Sequence, residues 1–194
     1  MRIIKLFAII LKVIKVFYCD ISGITDYKKL IQTLPKIRKD YVLSIKDEHR
    51  QKQSVLVWKL LESCLANHYN VKNPYFEFNG TTWCLQNSEL RFSLSHSKNI
   101  VSVAISKNLV GVDVQICDVK ILRIKEKLCC DYEINDVEAL TEIWTKKESL
   151  FKSGKGDNFH TQKLLDALGN NYLLTVCCDD NDVKFINVDV NLLR

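Results

Sequence analysis

Three short stretches hold residues whose types and spacing are suited to chemistry. In 143–156, IWTKKESLFKSGKG, Glu148 lies among lysines and precedes Lys152 by four residues. On a helix, that spacing puts carboxylate and ammonium on one face. The Glu-before-Lys order supports an exposed helix by ~0.2–0.5 kcal/mol with no function attached, so the ordinary reading of this window is a surface ion pair. In 110–115, VGVDVQ, a strand would send Asp113 and Gln115 to one side while Val112 and Val114 enter the core. A carboxylate beside a carboxamide oxygen suits a hard cation such as Mg²⁺, which takes one or two carboxylates and fills its shell with phosphate oxygens and water. The plain alternative is an exposed polar strand face. In 91–97, RFSLSHS, Ser93, Ser95 and Ser97 alternate with Phe92, Leu94 and His96. A histidine and hydroxyls at a strand end, near Arg91, offer donors to phosphate. A lone histidine is more often structural, and no Ser-His-Asp order or nucleophile elbow accompanies this one.

Periodicity predicts the elements that must position these groups. VIKVFYCDI (13–21) is a first strand, and DYKKLIQTL (26–34) a short helix closed by Pro35. Residues 47–69 form the longest helical pattern, with Val55, Trp58, Leu61, Leu65 and Tyr69 near helical spacing. YFEFNGTTWCL (75–85) reads as two alternating runs around Asn79-Gly80, a hairpin signal. LRFSLS, IVSVAIS and LVGVDVQI follow as strands, the first two separated by HSKN. ILRIKEKLCC and residues 133–152 read as helices, the second ending at SGKG with glycine in the stop position. YLLTVCC and VKFINVDV close the chain as strands around the turn DDND. Helices mixed with antiparallel strands in both halves predict an α+β fold, divided near residue 106.

Bulk composition narrows the function classes. The chain has 194 residues, 47% hydrophobic and 26% charged, which fits one compact unit or two small lobes. A net charge of +5 favours an anionic ligand or acidic partner. With no aromatic-interleaved basic stripe, zinc finger or repeated recognition unit, it does not point to nucleic acid. The eight cysteines include no CxxC, and Cys129–Cys130 and Cys177–Cys178 are adjacent pairs, poorly placed for chelation or a disulfide framework. A reduced, cytoplasmic chain is expected. MRIIKLFAIILKVIKVF superficially resembles a signal peptide, but Lys5, Lys12 and Lys15 interrupt its apolar run and no small-residue cleavage site follows. It is also too short and too charged to span a bilayer. Residues 1–12 are read as an extension of uncertain role, and a peripheral membrane anchor at 1–17 is a third-ranked reading. The segment SGKG lacks the G-x-x-x-x-G-K-[ST] pattern and ends a helix, so it is a helix stop and not a nucleotide phosphate loop.

Taken together in chain order, the stretches are F-S-L-S-H, then V-G-V-D-V-Q, then W-T-K-K-E-S-L-F-K. This order resembles the 4′-phosphopantetheinyl transferase superfamily, whose members carry F-N-x-S-H, G-x-D-x-E and W-x-x-K-E-A-x-x-K. Trp144, Lys147, Glu148 and Lys152 all fall in place, with Ser149 where alanine is usual. The GKG that follows and the basic Arg50 opening the long helix are similar to the family as well. The likeness spans roughly residues 13–190, and the length looks like the two-lobed surfactin-synthetase-activating class.

The resemblance implies two similar lobes related by a pseudo-twofold axis, 13–105 and 106–194, with the active site between them. It implies transfer of the phosphopantetheine arm of coenzyme A to a serine of an apo acyl or peptidyl carrier protein, with release of adenosine 3′,5′-bisphosphate. Fatty-acid, polyketide and non-ribosomal peptide carriers are all open as acceptors, and a monomer is expected. By match, Asp113, Gln115 and Glu148 would hold Mg²⁺ (or Mn²⁺), and Glu148 would act as general base, directly or through a water. Lys152 would neutralise phosphate and assist the leaving group. His96 and Ser95 match positions that hold coenzyme A phosphates, with His96 counted among the catalytic residues, and Arg50 matches a 3′-phosphate ligand. Lys36, Arg38 and Lys39 are further basic residues that could add to that pocket. Three departures stand out: Gln115 replaces a common glutamate, Ser93 replaces an asparagine, and NGTTWCLQNSEL stands where a Gly-Lys-Pro segment is common. The alternative they leave is a non-catalytic descendant that binds coenzyme A or a carrier protein.

Overall fold

The computed structural model describes residues 13–128 and 134–193. Residues 1–12 and the adjacent pair Cys129–Cys130 lie outside the described residues. The fold is α+β. A four-stranded sheet in the order β4-β5-β1-β9 is built from β1 (Ile14–Asp20), β4 (Arg91–Ser97), β5 (Ile100–Ser106) and β9 (Val183–Asn187). A three-stranded sheet in the order β6-β8-β7 combines β6 (Val110–Ile116), β7 (Asn158–Leu165) and β8 (Asn171–Cys178). β2 (Phe76–Phe78) and β3 (Trp83–Leu85) form a separate hairpin whose turn is held by Asn79, with Gly80 at φ 94°. All pairings are antiparallel except β1 with β9. The turn DDND therefore does not fold β9 back on β8: it carries the chain across to the first sheet.

The helices cover the outer faces. α2 (Glu48–Tyr69) lies against the first sheet with α1 (Lys36–Ser44) packed on α2, α3 (Lys125–Leu128) is a single turn, and α4 (Val137–Ser153) lies on the second. Asp47 caps α2 by accepting from the backbone N–H of Arg50, and Asp136 caps α4 by accepting from Ala139. Gly154, at φ 70°, ends α4 in the left-handed conformation that glycine adopts without strain. Between α2 and the first sheet lies one core, with Phe17, Trp58, Leu61 and Val103 at its centre. Between the two sheets lies another, built from Ile14, Val16, Ala104, Val112, Val114 and Leu174. β1 and β5 serve both cores, because alternate residues of a strand face opposite ways. The result is four layers: helix, sheet, sheet, helix.

Two elements differ from the periodicity. Residues 28–33 form a 3₁₀ helix and not an α-helix, and 119–124 do the same ahead of α3. Two more carried no periodic signal. In α1 Val42 is the one fully buried residue, and β7 is an edge strand dominated by partly exposed polar residues.

Candidate active site

Where the two sheets meet, β4 lies beside β6 with no backbone ladder between them. The serines of β4 make the junction instead. Ser93 Oγ accepts from the N–H of Val112 at 3.0 Å, Ser95 Oγ from Val114 at 3.1 Å, and Ser97 Oγ from Ile116 at 3.1 Å. The constant offset makes the two strands parallel, and it explains the S-x-S-x-S alternation: each hydroxyl satisfies a buried N–H that would otherwise cost about 1–3 kcal/mol. Ser95 and Ser93 are thus parts of a seam. Ser95 also donates to Asp113 Oδ1 at 2.8 Å, so its hydroxyl holds that carboxylate in place.

α4 packs unusually close to β6. A Cβ on Gly111 would stand 1.9 Å from the carbonyl oxygen of Ser149 and 2.5 Å from the N of Ser153. Only glycine fits there. The buried face of α4 is correspondingly small and hydroxylated: Thr141, Thr145, Ser149 and Ser153 recur every four residues. Their hydroxyls are satisfied by preceding carbonyls, with Thr145 also meeting Thr175 at 2.8 Å. This close approach brings the adjoining edge of the helix, with Trp144, Glu148 and Lys152, over the seam.

A cleft of about 490 Å³ opens there, walled by α1, α2, β4, β6 and α4. Arg50, Ser95, His96, Asp113, Gln115, Glu148 and Lys152 all line it. The residues singled out from sequence, more than a hundred positions apart in the chain at the extremes, therefore share one cavity. Lys36 and Lys39 are not in its walls, whereas Arg38 is. The Arg38 guanidinium donates to the carbonyl and hydroxyl of Ser54 at 2.9 and 2.8 Å and lies 5.2 Å from the ring centres of both Tyr41 and Trp58. Its Nε is buried with no hydrogen-bond partner. Sequence pattern could not register Arg38 because α1 itself gave no period.

Lys152 pairs with Asp113 and not with Glu148. Its Nζ donates to Asp113 Oδ1 at 2.7 Å and to the carbonyl of Val112 at 3.0 Å. The surface i,i+4 pair of this helix is a different one, Glu142–Lys146 at 2.7 Å. Asp113 is 6% exposed, and burial pushes its carboxyl above the usual range while Lys152 and Ser95 pull it back. Its second oxygen, Oδ2, is buried without a partner. An unsatisfied carboxylate oxygen of this kind calls for a cation or donor. His96 sits among cations: burial, then Lys152, Arg38 and Arg50, push its ring down to about 4, so it is neutral at pH 7. Lys147 donates to the carbonyl of Leu128 and ties α4 to α3.

The donor set suits a hard divalent cation. Asp113, Gln115 and Glu148 bring oxygen-bearing side chains to one cavity, and such oxygens are the kind of donor Mg²⁺ takes. Among the described residues no three His, Cys, Asp or Glu side chains converge as a metal site. Among them, too, no helix is long and apolar enough to cross a membrane. Compared with known proteins, the chain matches no protein-family profile and no curated protein.

Proposed function

We propose that this protein is a Mg²⁺-dependent 4′-phosphopantetheinyl transferase that moves the arm of coenzyme A onto a serine of an acyl or peptidyl carrier protein. The observation that carries the proposal is the convergence of Arg50, His96, Asp113, Gln115, Glu148 and Lys152 on one cleft that holds both cationic and acidic side chains. The two-lobed arrangement, divided near residue 106, belongs to the same proposal. Supporting it, β1-α2-β4-β5 and β6-α4-β7-β8 follow the same strand–helix–strand–strand order. In each, the last strand is central, flanked by the other two.

The chemistry required is attack of a neutral hydroxyl on an anionic pyrophosphate. The serine oxygen forms a bond to the phosphorus that bears the pantetheine arm, and the bridging P–O bond breaks to release adenosine 3′,5′-bisphosphate. Glu148 accepts the hydroxyl proton, a role worth about 10²–10⁴-fold in rate. A Mg²⁺ ion held by Asp113, Gln115 and Glu148 would screen the pyrophosphate charge. Lys152 has three N–H donors, two of them engaged by Asp113 and Val112, so one is left for the departing phosphate. Arg38 and Arg50 balance the nucleotide phosphates, and neutral His96 donates a hydrogen bond without adding charge.

The test is incubation with coenzyme A, Mg²⁺ and a panel of apo carrier proteins, read by mass. Wild type is expected to add the arm to at least one carrier. Glu148→Ala is expected to lower transfer by about 10²–10⁴-fold while retaining coenzyme A binding, and Gln115→Glu to lower the Mg²⁺ concentration needed. A folded wild type that modifies no carrier defeats the proposal. A second reading, a non-catalytic coenzyme A-binding protein, is favoured by the Lys152–Asp113 ion pair and the neutral Gln115, which together leave the cleft short of acidic charge. Tight coenzyme A binding, unaltered in Glu148→Ala and with no transfer by wild type, would select it.

A further inference from the structure

α2 ends at Tyr69, and Asn70, at φ 58°, turns the chain away, with the N–H of Val71 bonded to the carbonyl of Leu65 at 2.9 Å. Where the helix stops, a hollow of about 520 Å³ opens by the first residues of β1 and the last of β5. It shares no residue with the charged cleft. Ser88 and Leu90, just ahead of β4, line the hollow, whereas the cleft is lined by the second half of that strand. Val13, Tyr69, Val71, Leu90 and Ile105 supply apolar surface. The Tyr69 hydroxyl donates to the carbonyl of Ile105 at 3.2 Å, so the ring lines the hollow with its polar end already satisfied.

The two carboxylates in its walls have other partners. Glu89 is held by Lys107 at 2.7 Å, and Asp180 accepts from the side chain of Asn108 at 3.0 Å. Lys15 also lines the hollow, its Nζ 5.2 Å from the centre of the Tyr69 ring. In the parallel pairing of β1 with β9, Lys15 and Lys184 are register partners, so both project to the same side of the sheet. Like charges placed opposite each other repel. Among the described residues neither lysine forms an ion pair. His68, stacked 4.7 Å from the ring of Phe17, is held below its ordinary value by burial and then by both lysines. Two ammonium groups without a counter-ion, beside a neutral imidazole and an apolar hollow, complement a ligand with one anionic head and a hydrocarbon tail.

We propose that this hollow binds a single-chain monocarboxylate of medium length, with its carboxylate on Lys15 and Lys184 and its chain against Tyr69, Val71 and Leu90. The carboxylate relieves the repulsion between the two lysines, and each methylene taken out of water strengthens binding about fourfold. A volume of about 520 Å³ lies in the range of small-molecule pockets. Because the hollow and the cleft have no residue in common, this site stands whether or not the cleft transfers the phosphopantetheine arm.

The experiment is calorimetric titration of the full chain with decanoate, hexanoate and decanol, each kept below the concentration at which it aggregates. It compares wild type, Lys15→Gln, Lys15→Arg and Lys184→Gln, with melting curves to show that each variant is folded. Lys184 is exposed, so its replacement leaves the core alone and decides the matter even if Lys15→Gln fails to fold. Decanoate is expected to bind wild type at one site, and hexanoate, with a shorter chain, at least tenfold more weakly. Removing the charge from either side, with decanol or in Lys15→Gln, should cost about tenfold. Lys184→Gln should cost about threefold, and Lys15→Arg should keep the wild-type affinity. No saturable binding of decanoate to wild type overturns the site. So does decanol or hexanoate binding as tightly as decanoate, or decanoate binding to the folded glutamine variants as it does to wild type.

Discussion

At the scale of single residues, Lys152 and His96 gain their character from neighbours distant in sequence. Lys152 is bound to Asp113, thirty-nine positions earlier, and its side chain is 28% exposed against 8% for the carboxylate. It is more buried than a surface pair and less than a core pair. His96 is held neutral by burial and by Lys152, Arg38 and Arg50, which bring its ring to about 4 against an unfolded value near 6.5. Between those values the unfolded chain binds a proton that the folded one excludes. The contribution of His96 to stability is therefore full above about pH 6.5 and is lost as the pH falls toward about 4. Denaturant titrations across that range should show a steeper loss of stability in wild type than in His96→Gln. The comparison isolates His96 from His68, whose ring is also lowered, by burial and then by Lys15 and Lys184. A bound phosphate offsets the three cations, so adenosine 3′,5′-bisphosphate should raise the His96 titration followed by NMR. A ring whose titration does not move would put the anion somewhere else.

At the scale of elements, the contact of α4 with β6 sets the geometry of the cleft. Gly111 lets the helix backbone touch the strand, and the Thr141–Thr145–Ser149–Ser153 stripe keeps the helix face narrow. Adding one methyl in Gly111→Ala pushes α4 outward and carries Glu148 and Lys152 with it. The expected loss is about 1–3 kcal/mol in denaturant unfolding, as for an overpacked core. Transfer activity should fall even where the variant is fully folded. Normal activity in the folded variant would mean that the helix position is not limiting. The helix itself was legible in the sequence, and its end in the glycine stop, although its start was read at residue 133 and the Asp136 cap places it at Val137. Its packing face was not, because threonine and serine at i,i+4 spacing carry no hydrophobic signal. The serines of β4 show the same limit of the sequence. Their alternation reads as hydroxyls available to phosphate beside His96, and nothing in it announces that each hydroxyl also accepts from an N–H group of β6.

At the scale of the whole molecule, the chain's last strand completes its first sheet. β9 pairs in parallel with β1, and Val188 and Leu193 beyond it join the core beneath α2. Truncation after Asp182 would strip one edge of β1 of its hydrogen-bond partners and open that core. Loss of the near-UV circular dichroism signal and of a cooperative melt is the expected result. A truncated chain that still unfolds cooperatively would show that the first sheet is complete without β9. The two outer helices lie on opposite faces of the layered molecule, yet both reach the cleft, since the sheets meet edge to edge at the serine seam and their outer faces run together there.

The sequence by itself determined much of the local chemistry: most of the helices and strands, the extent of α2, the stop of α4, and which oxygen- and nitrogen-bearing side chains share a face. Those are short-range properties, set by periodicity, capping and turn residues. Only the tertiary structure decided the partners. It assigned Lys152 to Asp113 in place of Glu148, brought Arg38 into the cleft on a helix without a periodic signal, and turned the serines of β4 into a seam. The physical reason is common to all three. Each depends on satisfying a polar group supplied by another element, across the junction of the sheets for Lys152 and the serines and on α2 for Arg38, and the spacing of residues along one chain does not encode which distant group will need a partner.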